Sequence, residues 1–406
     1  MKNACLFLSM LSMLAVMGCA GSASDNGVEV INNSDIEEEA DLTEIACDFR
    51  VYPLKSDRPM DGIGGIKCWG DVMLARTNDD KKILRFDNYK LTAVLDKLGR
   101  GPGEYTYIED FSYDAERNML YIENDSLLVT YDASTMAFIR KQKVNLYIQN
   151  VLNLGDRMLY FGSYLDEFNR SSDVNEDGVR LLRDQVMILA EKGDYNFENP
   201  IELYREGYVE RQYYGYPELF FVNPENLSTC LTGYENRIVT FYGDSVHQVY
   251  RFRLGMVEEP PFITEYKGRK ELEANEIQEF SRSYVESVYL NEKPYMRNVF
   301  NIMVDGNTVS FRMLYFPQGM LNESEYLYCI HNKKETKVYR HLRIPGLSQD
   351  INPTGANGNR QIALVENLGS DAIDKSVPMS PLAQQIIDEL KKQNDDNPVL
   401  IEFRFK

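Results

Sequence analysis

The sequence is poor in the residues that most often carry acid–base or metal chemistry. Its 406 residues include three histidines, His247, His331 and His341, which are scattered along the chain. No His-Glu-x-x-His or Gly-x-Ser-x-Gly segment occurs, so the signatures of zinc proteases and serine hydrolases are missing. No Cys-x-x-Cys pair occurs either, which argues against a zinc site.

Positive charge is also scarce. The chain has 44 lysines and arginines against 63 aspartates and glutamates, a formal net charge of −19 at pH 7. Binding to nucleic acid or to anionic lipid rests on basic side chains that neutralise phosphates. The composition therefore argues against nucleic acid as a partner and against a charged contact with a lipid surface.

Long apolar runs are absent except near the N-terminus, at residues 4–17. That run is shorter than the roughly 20 residues of a membrane-spanning helix and ends in small residues, so residues 1–18 are predicted to be a signal peptide. Val16, Met17, Gly18 and Cys19 resemble a bacterial lipobox. Cys19 is then the predicted lipidation site, and the lipid anchor is the only expected contact with the membrane. An outer-membrane lipoprotein of the cell envelope is expected, with periplasmic and surface-exposed placement both open.

Residues 19–43 are small, polar and acidic, and include the run Glu37, Glu38 and Glu39. Such a composition buries little apolar surface. This segment is predicted to be a flexible acidic tether between the anchor and the folded body.

Four cysteines follow the predicted lipid site: Cys47, Cys68, Cys230 and Cys329. One disulfide is compatible with an exported protein, although spacing alone does not fix the pairing. Cys47 with Cys68 is the first expectation.

A glycine-rich stretch, residues 98–105 (LGRGPGEY), is the sharpest local signature. A dinucleotide-binding loop needs a glycine where Glu104 stands, and it leads into a helix, whereas a strand is predicted here. Pro102 also lacks an amide hydrogen that could face a phosphate. The stretch is predicted to be a tight loop in which Arg100 and Glu104 form an ion pair or contact a ligand.

The residues after this loop carry a family resemblance. The segment RGPGEY is followed by Ile108, Glu109, Asp110 and Phe111, and then by residues 118–122 (NMLYI). Together with the final strand-like residues LIEFRFK, this pattern resembles the six-bladed β-propeller lipoproteins common in Bacteroidetes, relatives of the NHL and TolB-type propellers. The resemblance implies a fold and a compartment, and it brings no shared catalytic motif.

The pattern from residue 44 to residue 406 agrees with an all-β fold. Short strand-like runs recur between turn residues, and strands do not alternate with helices along the chain. About six blades of roughly 60 residues would use this length, with the excess in loops. Residues 44–406 are therefore predicted to form one six-bladed β-propeller with short helical insertions at residues 271–289 and 381–393, the second packed on the rim.

Two strand-like segments lack a neighbour in sequence, residues 45–54 and 399–405. An unpaired edge strand invites aggregation. The ring is therefore predicted to close by pairing the two ends of the chain.

A calcium loop is one interpretation of residues 173–184. Asp173, Asn175, Asp177 and Asp184 follow the order of calcium ligands, with Gly178 at the sharp turn. Asn-Glu-Asp-Gly is equally a good hairpin turn, and no helix is predicted before Asp173. Calcium is therefore kept as a candidate cofactor.

A tyrosine-rich segment follows, with Tyr208, Tyr213, Tyr214 and Tyr216 around Glu210 and Arg211. Exposed tyrosines bind sugars or peptides well, and the same rings also pack between blades. Both interpretations are open.

The overall expectation is a lipid-anchored propeller that binds a glycan, a peptide or a partner protein, with Arg100, Glu104 and the four tyrosines as candidate ligand-binding residues. The alternative is a metal-dependent hydrolase or lyase that uses carboxylates in the propeller channel.

Overall fold

The computed structural model describes residues 25–31, 36–57, 60, 62–170, 179–182, 184–206, 228–233, 237–242, 245–254, 265–266, 268–288, 295–306, 308–316, 324–332, 335–366, 369–393 and 397–406. These residues form a ring of six blades of mainly antiparallel strands, in which blades 6 and 1 share one eight-stranded sheet, so the predicted six-bladed, all-β propeller is confirmed. In each blade the first strand lies nearest the central channel.

The first three blades each contain four strands, which run from the channel outwards. In blade 1 they are β4 (Ile63–Trp69), β5 (Val72–Thr77), β6 (Ile83–Asp87) and β7 (Lys90–Leu95). In blade 2 they are β8 (Phe111–Asp114), β9 (Met119–Asn124), β10 (Leu127–Asp132) and β11 (Phe138–Lys143). In blade 3 they are β12 (Leu146–Leu154), β13 (Arg157–Tyr164), β15 (Gln185–Glu191) and β16 (Ile201–Glu206).

The other three blades each include a strand from the N-terminal part of the chain. Blade 4 contains β17 (Ser228–Gly233), β18 (Arg237–Tyr242), β19 (Ser245–Leu254) and β1 (Asp25–Ile31). Blade 5 contains β21 (Tyr295–Asp305), β22 (Thr308–Phe316), β23 (Glu325–His331), β24 (Thr336–Arg343) and β2 (Ile36–Asp41). Blade 6 contains β25 (Pro353–Asn357), β26 (Arg360–Val365), β27 (Val399–Phe405) and β3 (Ala46–Pro53). A separate two-stranded sheet joins β14 (Val179–Leu181) to β20 (Glu271–Glu273).

The inner strands are apolar on both faces because each blade packs between two others. In β9, Leu120 and Ile122 face blade 1, whereas Tyr121 on the opposite face packs against blade 3. In the outermost strand β11, buried and exposed side chains do not alternate, and most of its residues are exposed. Burial on both faces explains why these strands appear in the sequence as continuous apolar runs.

The ring closes in blade 6, where β27 pairs with β3 from Val399–Pro53 to Phe405–Ala46. The predicted pairing of the two chain ends is thus confirmed. A parallel contact between the inner strands β25 and β4 links blade 6 to blade 1. Gly355 permits it, because a Cβ atom there would lie 2.5 Å from the carbonyl oxygen of Ile66.

The prediction of a flexible tether over residues 19–43 is wrong for two stretches. β1 pairs in parallel with β19, and β2 pairs in parallel with β24. In β2 the glutamates remain exposed while Ala40 is buried, because the strand adds to the outside of a blade. The acidic residues are therefore solvated, as expected, but within a strand.

The described residues include four helices outside the strands, α1 (Leu42–Ile45), α2 (Leu165–Arg170), α3 (Ala274–Val288) and α4 (Pro381–Lys392), and one 3-10 turn at Gly369–Ala372. The predicted rim helix is confirmed as α4, which buries Ala383, Ile386, Ile387 and Leu390. It begins at Ser380, whose hydroxyl accepts a hydrogen bond from the Ala383 amide. No helix in the described part of the chain is long and apolar enough to cross a membrane.

The expected disulfide between Cys47 and Cys68 is wrong, since both are free thiols. Cys47 lies on β3 and Cys68 on β4. In the eight-stranded sheet that blades 6 and 1 share, three strands separate β3 from β4. Four strand spacings of about 4.8 Å place them far beyond disulfide reach. Cys329 is also free and is buried in blade 5.

Candidate functional site

Glu104 shapes the glycine-rich loop from within. Its Oε2 atom accepts a hydrogen bond of 2.7 Å from the Gly101 amide. A Cβ atom at Gly99 would lie 2.0 Å from the same oxygen, so any other residue there would displace the Glu104 carboxylate. The exposed Arg100 forms no ion pair with Glu104 among the ion pairs of the described residues. The loop is thus held by backbone contacts to a carboxylate, and the expected ion pair is wrong.

The glycine-rich loop lies against the outer strands of blade 2. The Tyr131 hydroxyl donates to the Gly103 carbonyl at 3.1 Å, and Lys141 Nζ on β11 donates to the Glu104 carbonyl at 2.7 Å. Tyr105 is fully buried and donates to the Lys81 carbonyl. The loop lies at the rim and away from the channel, because the connection starts from the outermost strand of blade 1. Ligand binding by Arg100 and Glu104 stays a prediction.

Most of the other predicted site residues lie outside the described part of the chain. This applies to Cys19, to the four tyrosines Tyr208, Tyr213, Tyr214 and Tyr216, and to Asp173, Asn175 and Asp177. Asp184 is described and buried, and its Oδ2 accepts hydrogen bonds from Arg205 at 3.0 Å and from Lys270. Calcium binding at residues 173–184 stays a prediction.

A different cluster lies where the chain enters blade 2 from blade 1. Residues 106–110 cross the end of the blade from its rim to the start of the inner strand β8. Asp110 connects three blades: its Oδ1 accepts from Lys67 Nζ on β4 at 2.5 Å, and its Oδ2 accepts from the Val151 amide on β12 at 3.1 Å. The cluster therefore lies beside the channel, on the face where the inter-blade connections enter the inner strands.

Glu123 is the buried centre of this cluster. It lies near the end of β9, its amide donates to the Asp110 carbonyl at 2.9 Å, and its side chain is fully buried. Neither carboxyl oxygen has a hydrogen-bond partner among the described residues. Burial, followed by the negative charges of Glu109, Asp110 and Asp125, raises the pKa of Glu123 well above its ordinary range. Burial and the neighbouring charges therefore favour the uncharged form of this carboxyl group, which has no hydrogen-bond partner among the described residues.

Partly exposed side chains separate Glu123 from solvent. The Tyr107 hydroxyl donates to Asp125 Oδ1, and it lies 3.4 Å from Glu109 Oε2. Burial and the negative charge of Asp125 raise the pKa of Glu109. Burial also raises the pKa of Tyr147, and the charge of Glu109 adds to this effect. Two tyrosines and two carboxyls thus form the outer part of the site, and we use the name Glu123 pocket for these four side chains together with Glu123 and Asp110.

The two cationic side chains of this region, Lys67 and Arg76, already have partners. Lys67 also donates to the Phe111 carbonyl at 2.9 Å, and its ammonium group lies 4.9 Å from the Phe111 ring centroid. Arg76 is paired with Asp80 at 3.0 Å and donates to the carbonyls of Ile108 and Glu109. Both cations hold the backbone and Asp110 in place, so the outer carboxyls face solvent without a cationic partner among the described ion pairs.

Sequence reasoning missed the Glu123 pocket. Glu109 and Asp110 belong to the resemblance noted above, but Glu123 appeared only as the polar end of a strand. The one usable signal was a second acidic residue at that strand end, Asp125, which the turn to β10 also explains. Among the residues that the structure describes, no group of three or more His, Cys, Asp or Glu side chains is arranged to hold a metal ion. The hydrolase alternative therefore has no metal centre within these residues.

A second buried carboxyl lies at the opposite end of blade 2. Asp114 Oδ2 accepts a 2.7 Å hydrogen bond from Lys192 on the blade 3 side, and its Oδ1 accepts from the amides of Glu116 and Arg117. Burial alone would raise the pKa of Asp114, but the hydrogen bond and charge of Lys192 lower it. This carboxylate is ionised and fully partnered.

A third buried carboxyl, Glu402 on β27, lies at the seam between blades 6 and 1. Its Oε1 accepts from the Tyr89 hydroxyl at 3.1 Å and from the Asn357 amide at 2.9 Å. The Arg50 guanidinium lies 4.0 Å from its Oε2. Glu402 therefore contributes to ring closure.

Comparisons with known proteins gave one matching family and several structures of similar fold. A family model described as a six-bladed β-propeller, DUF5128, matches residues 20–315. A solved structure from Bacteroides fragilis, of a protein described as exported, aligns over 94% of this chain and 100% of its own, with 12% identity and a TM-score of 0.61. A DUF4221 member from Bacteroides vulgatus aligns over 89% and 97%, with 10% identity and a TM-score of 0.43. BamB from Moraxella catarrhalis aligns over 89% and 98%, with 10% identity and a TM-score of 0.36. No curated protein matches the sequence.

Proposed function

The chain belongs to the six-bladed β-propeller family DUF5128, and on that premise we propose that it is a lipid-anchored binding module of the bacterial envelope that captures its ligand at the Glu123 pocket. The observation that carries the proposal is the Glu123 carboxyl, which is fully buried and has no hydrogen-bond partner among the described residues. Burying such a group without a partner costs about 1–3 kcal/mol. A bound ligand that supplies the missing partner would recover part of that free energy.

The rest of the pocket supports recognition. Propellers commonly bind ligands on loops held by a rigid scaffold, and Asp110 fixes this region to three blades. Tyr107 and Tyr147 offer flat rings with polar tips, a combination suited to sugars and peptides. The pocket therefore joins a rigid base to an outer part that forms both polar and apolar contacts.

The anchor and the compartment belong to the same proposal. The lipobox at Cys19 and the apolar run before it support export and lipidation. The likeness to a Bacteroides protein described as exported agrees with an envelope location. Detergent-phase partitioning of the wild type against Cys19→Ala tests the anchor, and a wild-type protein that stays in the aqueous phase would contradict it.

Binding at the pocket is tested with soluble protein that begins at residue 20. Wild type and the double variant Glu109→Gln, Tyr147→Ala are compared by surface plasmon resonance against panels of neutral glycans and short peptides. We expect binding that the double variant weakens at least about tenfold, since hydrogen bonds to charged groups contribute roughly 1.5–3 kcal/mol.

The matched control is Glu198→Gln, Tyr326→Ala, which changes the same residue types at exposed positions away from the pocket. Binding that survives in the pocket variant, or that the control variant weakens equally, would contradict the proposal. Absence of binding across both panels would contradict it as well.

A further inference from the structure

Resting on the binding function proposed above, we infer that the Glu123 pocket binds the guanidinium group of an arginine side chain presented by a peptide or by an exposed loop of a partner protein. The charges of the described carboxyl groups and the tyrosine rings beside them support this ligand class.

Charge balance gives the first step. Glu109, Asp125 and Glu123 form no ion pair with a cation among the described residues, whereas Lys67 and Arg76 are already held by Asp110, Asp80 and backbone carbonyls. The pocket therefore carries an excess of acidic groups. A ligand cation would replace the missing charge, and an anionic ligand would be repelled.

Shape gives the second step. A guanidinium group is planar, carries five donors and pairs with carboxylates through two parallel hydrogen bonds. Its face also stacks on aromatic rings, and the half-buried Tyr107 and Tyr147 lie beside the carboxyls. An ammonium group lacks this planar match, so arginine fits the combination of acids and tyrosines better than lysine. A metal ion is disfavoured because the described residues offer no group of three ligands arranged around one point.

Proton linkage gives the third step. The titratable and charged groups around Glu123 come from three strands and two connections: Glu109, Asp110, Asp125, Tyr107, Tyr147, Lys67 and Arg76. In the free protein, burial and the surrounding acids raise the pKa of Glu123 and so favour its protonated form. A guanidinium beside it favours the ionised form, so binding releases a proton.

The test uses three acetylated and amidated tripeptides, Gly-Arg-Gly, Gly-Lys-Gly and Gly-citrulline-Gly, with calcium chloride as a fourth probe. Citrulline is a neutral isostere of arginine. Titration calorimetry in two buffers with different ionisation enthalpies measures affinity and proton release between pH 5 and pH 8. The protein variants are wild type, Glu123→Gln and the exposed control Glu198→Gln.

We expect the arginine peptide to bind at least about tenfold more tightly than the citrulline peptide, because the charged hydrogen bonds are lost. Its affinity should rise with pH by up to about tenfold per pH unit for each proton released. In Glu123→Gln the release should fall by up to one proton, and the remaining pH dependence should be that of Glu109. Glu198→Gln should behave like wild type.

Equal binding of the arginine and citrulline peptides would overturn the inference, and so would arginine binding with the same proton release in wild type and Glu123→Gln. Calcium binding that depends on Glu123 would overturn it in favour of a metal site. If no peptide binds while neutral glycans still bind in a manner that requires Tyr147, the inference fails and the proposed binding function stands.

Discussion

Blade 2 buries a carboxyl group at each of its two ends, and the two environments are opposite. Asp114 accepts hydrogen bonds from Lys192 and from two backbone amides, and its pKa is lowered. Glu123 accepts none among the described residues, and its pKa is raised. One blade therefore contains a partnered acid whose pKa is lowered and an acid whose pKa is raised and that has no partner among the described residues.

The difference shows what marks a site in this fold. A buried carboxylate in this fold is readily partnered by a neighbouring blade, as Lys192 shows for Asp114 and Tyr89 shows for Glu402 at the ring seam. The missing partner at Glu123 is thus not a consequence of depth alone. Buried polar groups without partners are uncommon in folded proteins, and an exception calls for an explanation such as a ligand.

The largest effect is expected from Lys192→Met. The substitution leaves the Asp114 charge buried with the two turn amides and no cation close by, apart from the exposed Arg117 at 3.6 Å. Breaking a buried pair from one side costs about 3–5 kcal/mol, so unfolding in urea at pH 7 should lose about 3 kcal/mol. A loss below about 1 kcal/mol would mean that Asp114 is not the partnered carboxylate described above.

A smaller effect is expected at the ring seam. Tyr89→Phe removes one of the two side-chain donors to the Glu402 Oε1 atom. Losing a hydrogen bond to a charged group should destabilise the protein by about 1.5 kcal/mol in thermal or urea unfolding. Glu198→Gln, at an exposed position in blade 3, is the control and should change stability by less than about 0.5 kcal/mol.

Glu123→Gln should stabilise the protein at neutral pH. Because folding raises the pKa of Glu123, the folded state binds a proton that the unfolded state has lost, and stability falls as pH rises above about 4.5 towards the folded pKa. The variant removes this dependence and should gain about 1 kcal/mol or more at pH 7. Asp114→Asn should have the opposite signature. It removes a contribution that is present above about 3.8 and is lost as pH falls through the lowered pKa.

These opposite slopes are measured by urea unfolding at a series of pH values from 3 to 9. If Glu123→Gln and Asp114→Asn changed the slope of unfolding free energy against pH in the same direction, the contrast between the two ends of blade 2 would be wrong.

The smallest effect is expected at an exposed ion pair. Lys81 and Asp79 lie 3.1 Å apart on the surface of blade 1, and both side chains are about half exposed. Lys81→Met should leave the free energy of unfolding nearly unchanged, because solvent screens the pair. An effect close to that of Lys192→Met would show that charge removal, and not burial, dominates at Asp114.

The sequence predicted the fold where long-range pairing was the only way to satisfy a strand. Residues 45–54 and 399–405 had no neighbours, so ring closure followed from edge pairing. Helix α4 was predicted from one apolar face. β2 was missed because it buries only Ala40 among its six residues, and an acidic strand on an outer edge has the composition of a tether.

The candidate site was harder to predict because its defining property is a relationship between strands. Glu123 differs from Glu402 in its partners, and those partners come from other blades and from loops far away in sequence. The residues of β9 alone, MLYIEN, carry no sign of an unpartnered acid. The glycine-rich loop was easier to recognise because its contacts are local, and the Glu104 carboxylate accepts a hydrogen bond from Gly101 in the same loop.

The central claim is that, in the free protein, the Glu123 carboxyl is protonated and can still accept a hydrogen bond from a ligand. Carbon-13 NMR of protein labelled at the glutamate side-chain carboxyl, titrated from pH 4 to pH 9 and assigned by the loss of one signal in Glu123→Gln, measures this directly. We predict that the Glu123 signal keeps the shift of a protonated carboxyl through pH 7 and moves to that of a carboxylate when the arginine peptide is added. A Glu123 signal that titrates near pH 4.5 in the free protein would contradict the account.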